Sequence, residues 1–208
     1  MSWSDCQQFI ATVNAQLKCG ACLPTEAEWE YACRAGSTCE YGSTGMLSAI
    51  WRVSIDDIGW YSGNSNDLAH PVGKKKSNAW GFHDMHGNVW EWCQDRYGAY
   101  NRDATDPQSP ASDDDRVLRG CCWYDFARFC RSADHFRNTP GNRDYSNGFR
   151  LCCSIPMSPV VNWSLELDIG NTGNIGNISI QTEEGYCGIL KLWHCGIETL
   201  WNCPPSIS

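Results

Sequence analysis

Hydrophobic positions are periodic at the start of the chain and lose their period soon after. From Ser4 to about Leu17, the residues Phe9, Ile10, Val13 and Leu17 share one stripe behind a serine cap, which predicts an amphipathic helix. A second helix is predicted at Thr25. There Thr25-x-x-Glu28 forms a capping box, and Trp29, Ala32 and Cys33 fall on the inward face. From Gly36 to Asp115 the pattern dissolves into Gly, Asn, Ser and Asp, which predicts long structured loops ending in a solvated turn at Asp113–Asp115. Short strands are expected at Val117–Leu118 and from Gly148 to Cys153. Past Pro156 the texture changes. A Gly-Asn run (170–177) precedes CGILKLWH and CGIETLWN, an eight-residue repeat present twice, so residues 156–208 read as an extension to a domain of residues 1–155.

Composition narrows the class. Eleven Trp, 8 Tyr, 6 Phe and 19 Gly suit a loop-rich single domain better than a helical bundle. A formal charge of −8 argues against nucleic acid as a general partner, and the basic run Lys74–Lys76 is too short to reverse that. No apolar stretch is long enough to span a membrane. The opening MSWSDCQQF lacks the basic and apolar regions of a signal peptide, which makes a cytoplasmic or virus- or phage-associated protein the default expectation. The 14 Cys then read mostly as small buried hydrophobes, since the single Cys19-x-x-Cys22 pair and the adjacent Cys121–Cys122 and Cys152–Cys153 pairs match no zinc spacing.

One loop has the chemistry of a cation site. Asp84 and Glu91 bracket Gly87, Asn88 and Val89, and two carboxylates with backbone carbonyls make an all-oxygen set suited to Ca²⁺. The same carboxylates would equally serve by hydrogen-bonding loop amides while Trp90 and Trp92 fill the core. His83 and His86 lack a third zinc ligand and read as ordinary loop histidines.

Three phrases in this order, LPTEAEWEYACRAGS (23–37), NAWGFHDMHGNVWEWC (78–93) and RVLRG…CRSA…NGFRL (116–151), resemble the formylglycine-generating enzyme, or sulfatase-modifying factor, family. The resemblance runs from about residue 2 to 153. It implies an α+β C-type lectin fold of the formylglycine-generating-enzyme type, with short antiparallel strands, two helices and long ordered loops. It also implies a structural calcium site using the side chains of Asp84 and Glu91 and the carbonyls of Gly87 and Val89. The family's enzyme oxidises a substrate cysteine with copper held by two nearby thiolates, a soft pair that Cu(I) requires. At the expected thiol positions this chain has residues such as Asp125 and Phe126. Cys130 resembles the Cys of the CRSA phrase, Cys121 and Cys122 stand where the usual motif has Gly-Ser, and a substitute pair of Cys122 and Cys130 is disfavoured. No copper is expected, and a copper oxidase acting on a protein cysteine is the alternative reading.

A subset of the family resembles the variable proteins of diversity-generating retroelements, which bind ligands through a lectin face altered by adenine-specific mutagenesis of asparagine codons. Here the words RVLRG, CRSA, GNR and GFR alternate with gaps that hold Tyr124, Asp125, Phe126, Phe129, Asp134, His135, Phe136, Asn138, Thr139, Asp144, Tyr145, Ser146 and Asn147. Changing the adenines of such codons never yields Lys, Glu, Gln, Met or Trp. Those types make up 35 of the 208 residues, so the 24 residues from Tyr124 to Asn147 should contain about four, and they contain none. The mixture of rings with Ser, Asn, Asp and His also suits a recognition surface. Together these features predict non-catalytic binding of a protein or surface-glycan ligand by the face formed from about 121–147.

Overall fold

A computed structural model describes residues 1–17, 20–42, 53–99 and 114–153, together with the backbone of 162–169, 175–183, 190–193 and 196–197. Helix α1 (Trp3–Leu17) opens at Ser2 rather than Ser4. The Asp5 amide donates to Ser2 Oγ (3.1 Å) while the Ser2 amide donates to the Asp5 carboxylate (3.0 Å), a reciprocal cap three residues apart. Ser4 is used elsewhere, with its amide and its hydroxyl both donating to the Pro140 carbonyl. A two-residue strand β1 (Ala21–Cys22) leads into α2 (Glu26–Arg34), whose Thr25/Glu28 capping box is present and which buries Trp29, Ala32 and Cys33 as the sequence predicts.

Among its described residues, the stretch expected to be loops contains two elements: a short helix α3 (Ile55–Ile58) and strand β2 (Trp90–Arg96). Strand β2 hides from sequence reading because its first four residues have no exposed side. Trp90, Glu91, Trp92 and Cys93 are all buried, so the period of two is absent. Strand β3 (Arg116–Arg119) extends the predicted Val117–Leu118 by a residue at each end. Strand β4 (His135–Asn138) lies inside the segment read as gaps, and β5 (Asn147–Cys153) closes the matched region.

These strands form a mixed sheet in the order β4-β3-β2-β5, with β1 also on β5. Most pairs are antiparallel as expected. The central β2–β5 pair is parallel, with Trp90, Glu91 and Trp92 opposite Asn147, Gly148 and Phe149. From the extension, β6 (Asn162–Ile169) and β7 (Ile175–Glu183) make a separate antiparallel pair. Strand β8 (Leu190–Trp193) pairs with Phe149–Leu151 of β5, and β9 (Gly196–Ile197) folds back on β8. The described parts of the eight-residue repeat, 190–193 and 196–197, thus pair with each other, and the first of them lengthens the main sheet.

Two cores flank the sheet. Under α1, Cys6, Ile10 and Val13 pack with Leu23, Trp92, Leu118, Phe149 and Leu151, and Phe9 meets Phe149 edge-on at 5.5 Å. Under α2, Trp29, Ala32 and Cys33 pack with Phe82, Met85, Cys93 and Val117. Six of the nine described cysteines, Cys6, Cys33, Cys93, Cys121, Cys122 and Cys130, are buried, in keeping with their reading as small apolar side chains. Among the described residues no helix is long and apolar enough to cross a membrane.

Among the described side chains both cores end at Leu151, and β8 adds backbone pairing at one edge. A chain ending at Ile155 is therefore expected to unfold cooperatively, a few degrees below the full-length protein, when followed by circular dichroism. Loss of the cooperative transition would show that the extension belongs to the folding unit.

Candidate functional site

The repeated arginines of the last segment are anchors. Arg116 lies over the Trp3 ring at 4.0 Å and donates to the Gln94 carbonyl (2.8 Å). Arg119, fully buried, donates to the carbonyls of Asp134 (2.6 Å) and Ser132 (2.9 Å) and pairs with Glu30. Arg143 forks onto both carboxylate oxygens of Asp5 (2.9 and 2.7 Å), which ties the last gap to α1. That carboxyl is held well below the usual range, chiefly by the Arg143 hydrogen bond, against partial burial and with help from Ser2. Arg150 forks onto Glu91 (2.7 and 3.0 Å), and the Trp29 indole N–H donates to the same carboxylate (2.7 Å). The arginines of RVLRG, GNR and GFR thus tie the segment to the helices and to the sheet.

In the first gap the backbone is held by groups that do not depend on the gap side chains. The Trp123 amide donates to the Asn88 carbonyl (2.9 Å), and Ser65 Oγ donates to the Trp123 carbonyl (2.7 Å). The Ser62 amide donates to the Asp125 carbonyl (2.9 Å), and the Tyr41 hydroxyl reaches the Ala127 carbonyl (3.0 Å). The loop providing Asn88 is itself fixed by close approach: a side chain on Gly87, whose φ is +143°, would meet the Trp60 carbonyl oxygen at 2.2 Å.

Side chains of the gaps divide by position. Tyr124, Phe126, Phe136 and Tyr145 are 41, 60, 50 and 73% exposed, and Thr139 is exposed as well. Strand alternation places Phe136 and Asn138 on one face of β4, where the Phe136 ring lies 5.6 Å from Trp90. His135 takes the other face. Its Nδ1 lies 2.9 Å from the Glu26 carboxylate and its ring 5.2 Å from Tyr97, so it packs against the α2 side. Asp125 is half-buried and accepts from the Trp90 indole (2.8 Å), Phe129 packs against the first core, and Asp134 pairs with Arg131 (2.9 Å). Asp144 receives the amide and hydroxyl of Ser146, and Ser146 and Asn147 are themselves buried. The thirteen gap residues are thus not one surface: about half project outward and the others brace the loops.

Trp123, which the codon argument sets outside the gaps, joins the outward group. Its ring centroid lies 4.9 Å from Tyr124 and 5.9 Å from Tyr145, and Tyr124 and Tyr145 are 6.3 Å apart. This cluster bridges the first and last gaps. The Tyr124 hydroxyl is 3.3 Å from Ser146 Oγ, and burial pushes its pKa up to about 12, so it is a neutral donor at physiological pH.

The expected calcium residues lie in the same buried region, in different bonds. Asp84 receives the Gly73 amide (2.8 Å), the Gly87 carbonyl receives the Val89 amide (3.1 Å), and Glu91 already faces the Arg150 cation. A divalent ion on Glu91 would sit beside a guanidinium, so the side chains present fit an ion pair better than a Ca²⁺ cage. Among the described residues no three His, Cys, Asp or Glu side chains are grouped to hold a metal. His86 is a structural residue too: Nε2 accepts the Gly42 amide (2.8 Å) and Nδ1 lies 2.8 Å from the Cys130 carbonyl, which sets the proton on Nδ1.

Comparison with known proteins places these features in context. The family described as "Sulfatase-modifying factor enzyme 1-like domain" matches residues 1–155. The formylglycine-generating enzyme of Streptomyces coelicolor is 35% identical over 163 residues, covering 72% of this chain and 50% of that enzyme. The serine/threonine-protein kinase pkn1 of Chlamydia caviae is 38% identical over 138 residues, covering 63% of this chain and 21% of the kinase. Among solved structures, Treponema denticola variable protein 1 superposes with a TM-score of 0.55 at 36% identity, covering 63% of this chain and 46% of that one. The chain therefore spans about a fifth to a half of the length of these relatives.

Two outcomes follow from the buried groups. Glu91→Gln leaves Arg150 uncompensated and is expected to cost about 3–5 kcal/mol of stability, equally with and without Ca²⁺, in denaturant titrations. A calcium-dependent difference would restore the cation site. Burial lowers the His86 pKa to about 4, with the Cys130 hydrogen bond opposing it. An unfolded chain takes up that proton below about pH 6.5, whereas the native one resists it until about pH 4. Native stability should therefore fall as pH drops through that window, by up to about 1.4 kcal/mol per unit, and His86→Gln should flatten this slope in melting curves.

Proposed function

This chain belongs to the sulfatase-modifying factor enzyme 1-like domain family, with a C-type lectin-like fold, and we propose that it is a ligand-binding member whose face is diversified by a retroelement. The observation that carries the reading is the division of labour in the last segment. Backbone atoms of the first gap are held by Asn88, Ser65, Ser62 and Tyr41 and those of β4 by pairing with β3, while Tyr124, Phe126 and Phe136 project from them and Tyr145 projects from the last gap. A loop fixed in this way accepts new side chains without a new backbone. Exposed rings grouped around Trp123 supply contact area at low entropic cost, and Asn138 and Thr139 beside them supply polar contacts. The likeness to the Treponema denticola variable protein supports the same reading. Its ligand would be a protein or a surface glycan.

The alternative, a copper oxidase acting on a protein cysteine, draws on the likeness to formylglycine-generating enzymes. Against it, Asp125, one of the positions expected to hold a thiol, receives the Trp90 indole hydrogen bond instead.

Tyr124→Ala, Phe126→Ala and Tyr145→Ala should each leave the melting temperature nearly unchanged, since exposed substitutions cost less than about 0.5 kcal/mol. Their combination should lower capture of ligand on a glycan array or from a host-surface protein library by tenfold or more, about 1.4 kcal/mol. Arg119→Ala should instead unfold the protein. If the ring substitutions prove as damaging to the fold as Arg119→Ala, or if a sulfatase-type peptide incubated with the protein, copper and oxygen gains formylglycine by mass spectrometry, the binding reading fails.

A further inference from the structure

The first gap is flanked by Cys121 and Cys130, and the two meet beneath it. Cys121 and Cys130 are both fully buried, and their Sγ atoms are 2.8 Å apart, about 0.8 Å more than the roughly 2.05 Å of a disulfide bond. Cys122, the neighbour that would compete, is turned away: its thiol donates to the Asp125 carboxylate (2.9 Å). The backbone supplies an independent sign. Cys121 has a φ of +72°, directly after Gly120 at +95°. Glycine adopts that region freely, and a side chain there is strained unless its surroundings hold it. A residue with a thiol occupies the strained position, and the thiol points at its partner.

We propose that Cys121 and Cys130 form a disulfide when the chain folds under oxidising conditions, closing the ten residues Cys121–Cys130 into a ring that carries Tyr124, Asp125 and Phe126. The oxidant is a small disulfide such as oxidised glutathione. Both S–H bonds break and one S–S bond forms, while two electrons and two protons pass to the glutathione disulfide, which leaves as two thiols. Because both sulfurs are inaccessible in the folded protein, the bond forms during folding and then resists reduction. It is a permanent staple at the base of the loop. The cross-link itself does not depend on what the face binds.

The test is to refold the full chain in a buffer of reduced and oxidised glutathione, alkylate the remaining thiols with iodoacetamide and digest with trypsin. Cleavage after Arg128 separates residues 120–128 from 129–131, so the cross-link appears as a disulfide-joined pair of these peptides. The joined pair is expected in the native sequence and in Cys122→Ser, and is expected to vanish in Cys121→Ser and Cys130→Ser. The oxidised protein should melt roughly 5–10 °C above the same protein refolded with excess reductant, a difference that Cys121→Ser removes. Should Cys121→Ser fail to fold, fragmentation of the native joined pair between residues 121 and 122 still assigns the sulfur. Recovery of Cys130 fully alkylated from the folded native protein, or a link made through Cys122, would overturn the proposal.

Discussion

The buried pair of Glu91 and Arg150 is the constraint on which the rest of the structure depends. It joins the two central strands where they run parallel, and the Trp29 indole brings α2 to the same carboxylate. Both charges are almost wholly removed from water, so neither can exist without the other. The paired stretch Trp90–Cys93 of β2 is therefore buried and apolar except for one acid, and Phe149–Leu151 of β5 apolar except for one base. Register follows from this: a slip of one residue would turn Arg150 to the other face of the sheet and leave two charges unpaired.

Outward from that pair, the other arginines repeat the device at decreasing depth. Arg119 is buried between α2 and the carbonyls that begin the second gap, Arg116 lies on Trp3 at the margin, and Arg143 holds α1 from the surface. A planar guanidinium can satisfy several acceptors from one point, which is why these sites use arginine rather than lysine. Loops without regular secondary structure thereby gain fixed positions.

Sequence reading recovered what depends on local chemistry. The α2 capping box and inward face, the Phe9, Ile10 and Val13 stripe of α1 (the Leu17 side chain lies outside the described ones) and the short strands at Val117 and Gly148 are written in neighbouring residues. Strand β2 was not legible because burial on both faces erased its alternation, and the cap of α1 was displaced because Ser4 has a distant partner in Pro140. In the candidate site, composition singled out the segment. It could not separate Tyr145, which projects, from Ser146 and Asn147, which are buried beside it, since the distinction arises from a turn made by Asp144. The acid at position 91 was legible as important, but its partner was not: Arg150 is 59 residues away.

The central parallel pairing also governs how the chain must fold. Trp90 meets Asn147 only after everything between them has been made, and α1 meets Phe149 only after nearly the whole domain exists. Such long-range closure slows folding and leaves the early chain without a core. The gaps lie within that closing loop. Its entropy of closure depends on the number of residues it contains and only weakly on which residues they are. Exchanging one side chain for another in Tyr124–Asn147 leaves that number untouched, so variants of this segment should share one folding rate-limiting step whatever they carry on their surface.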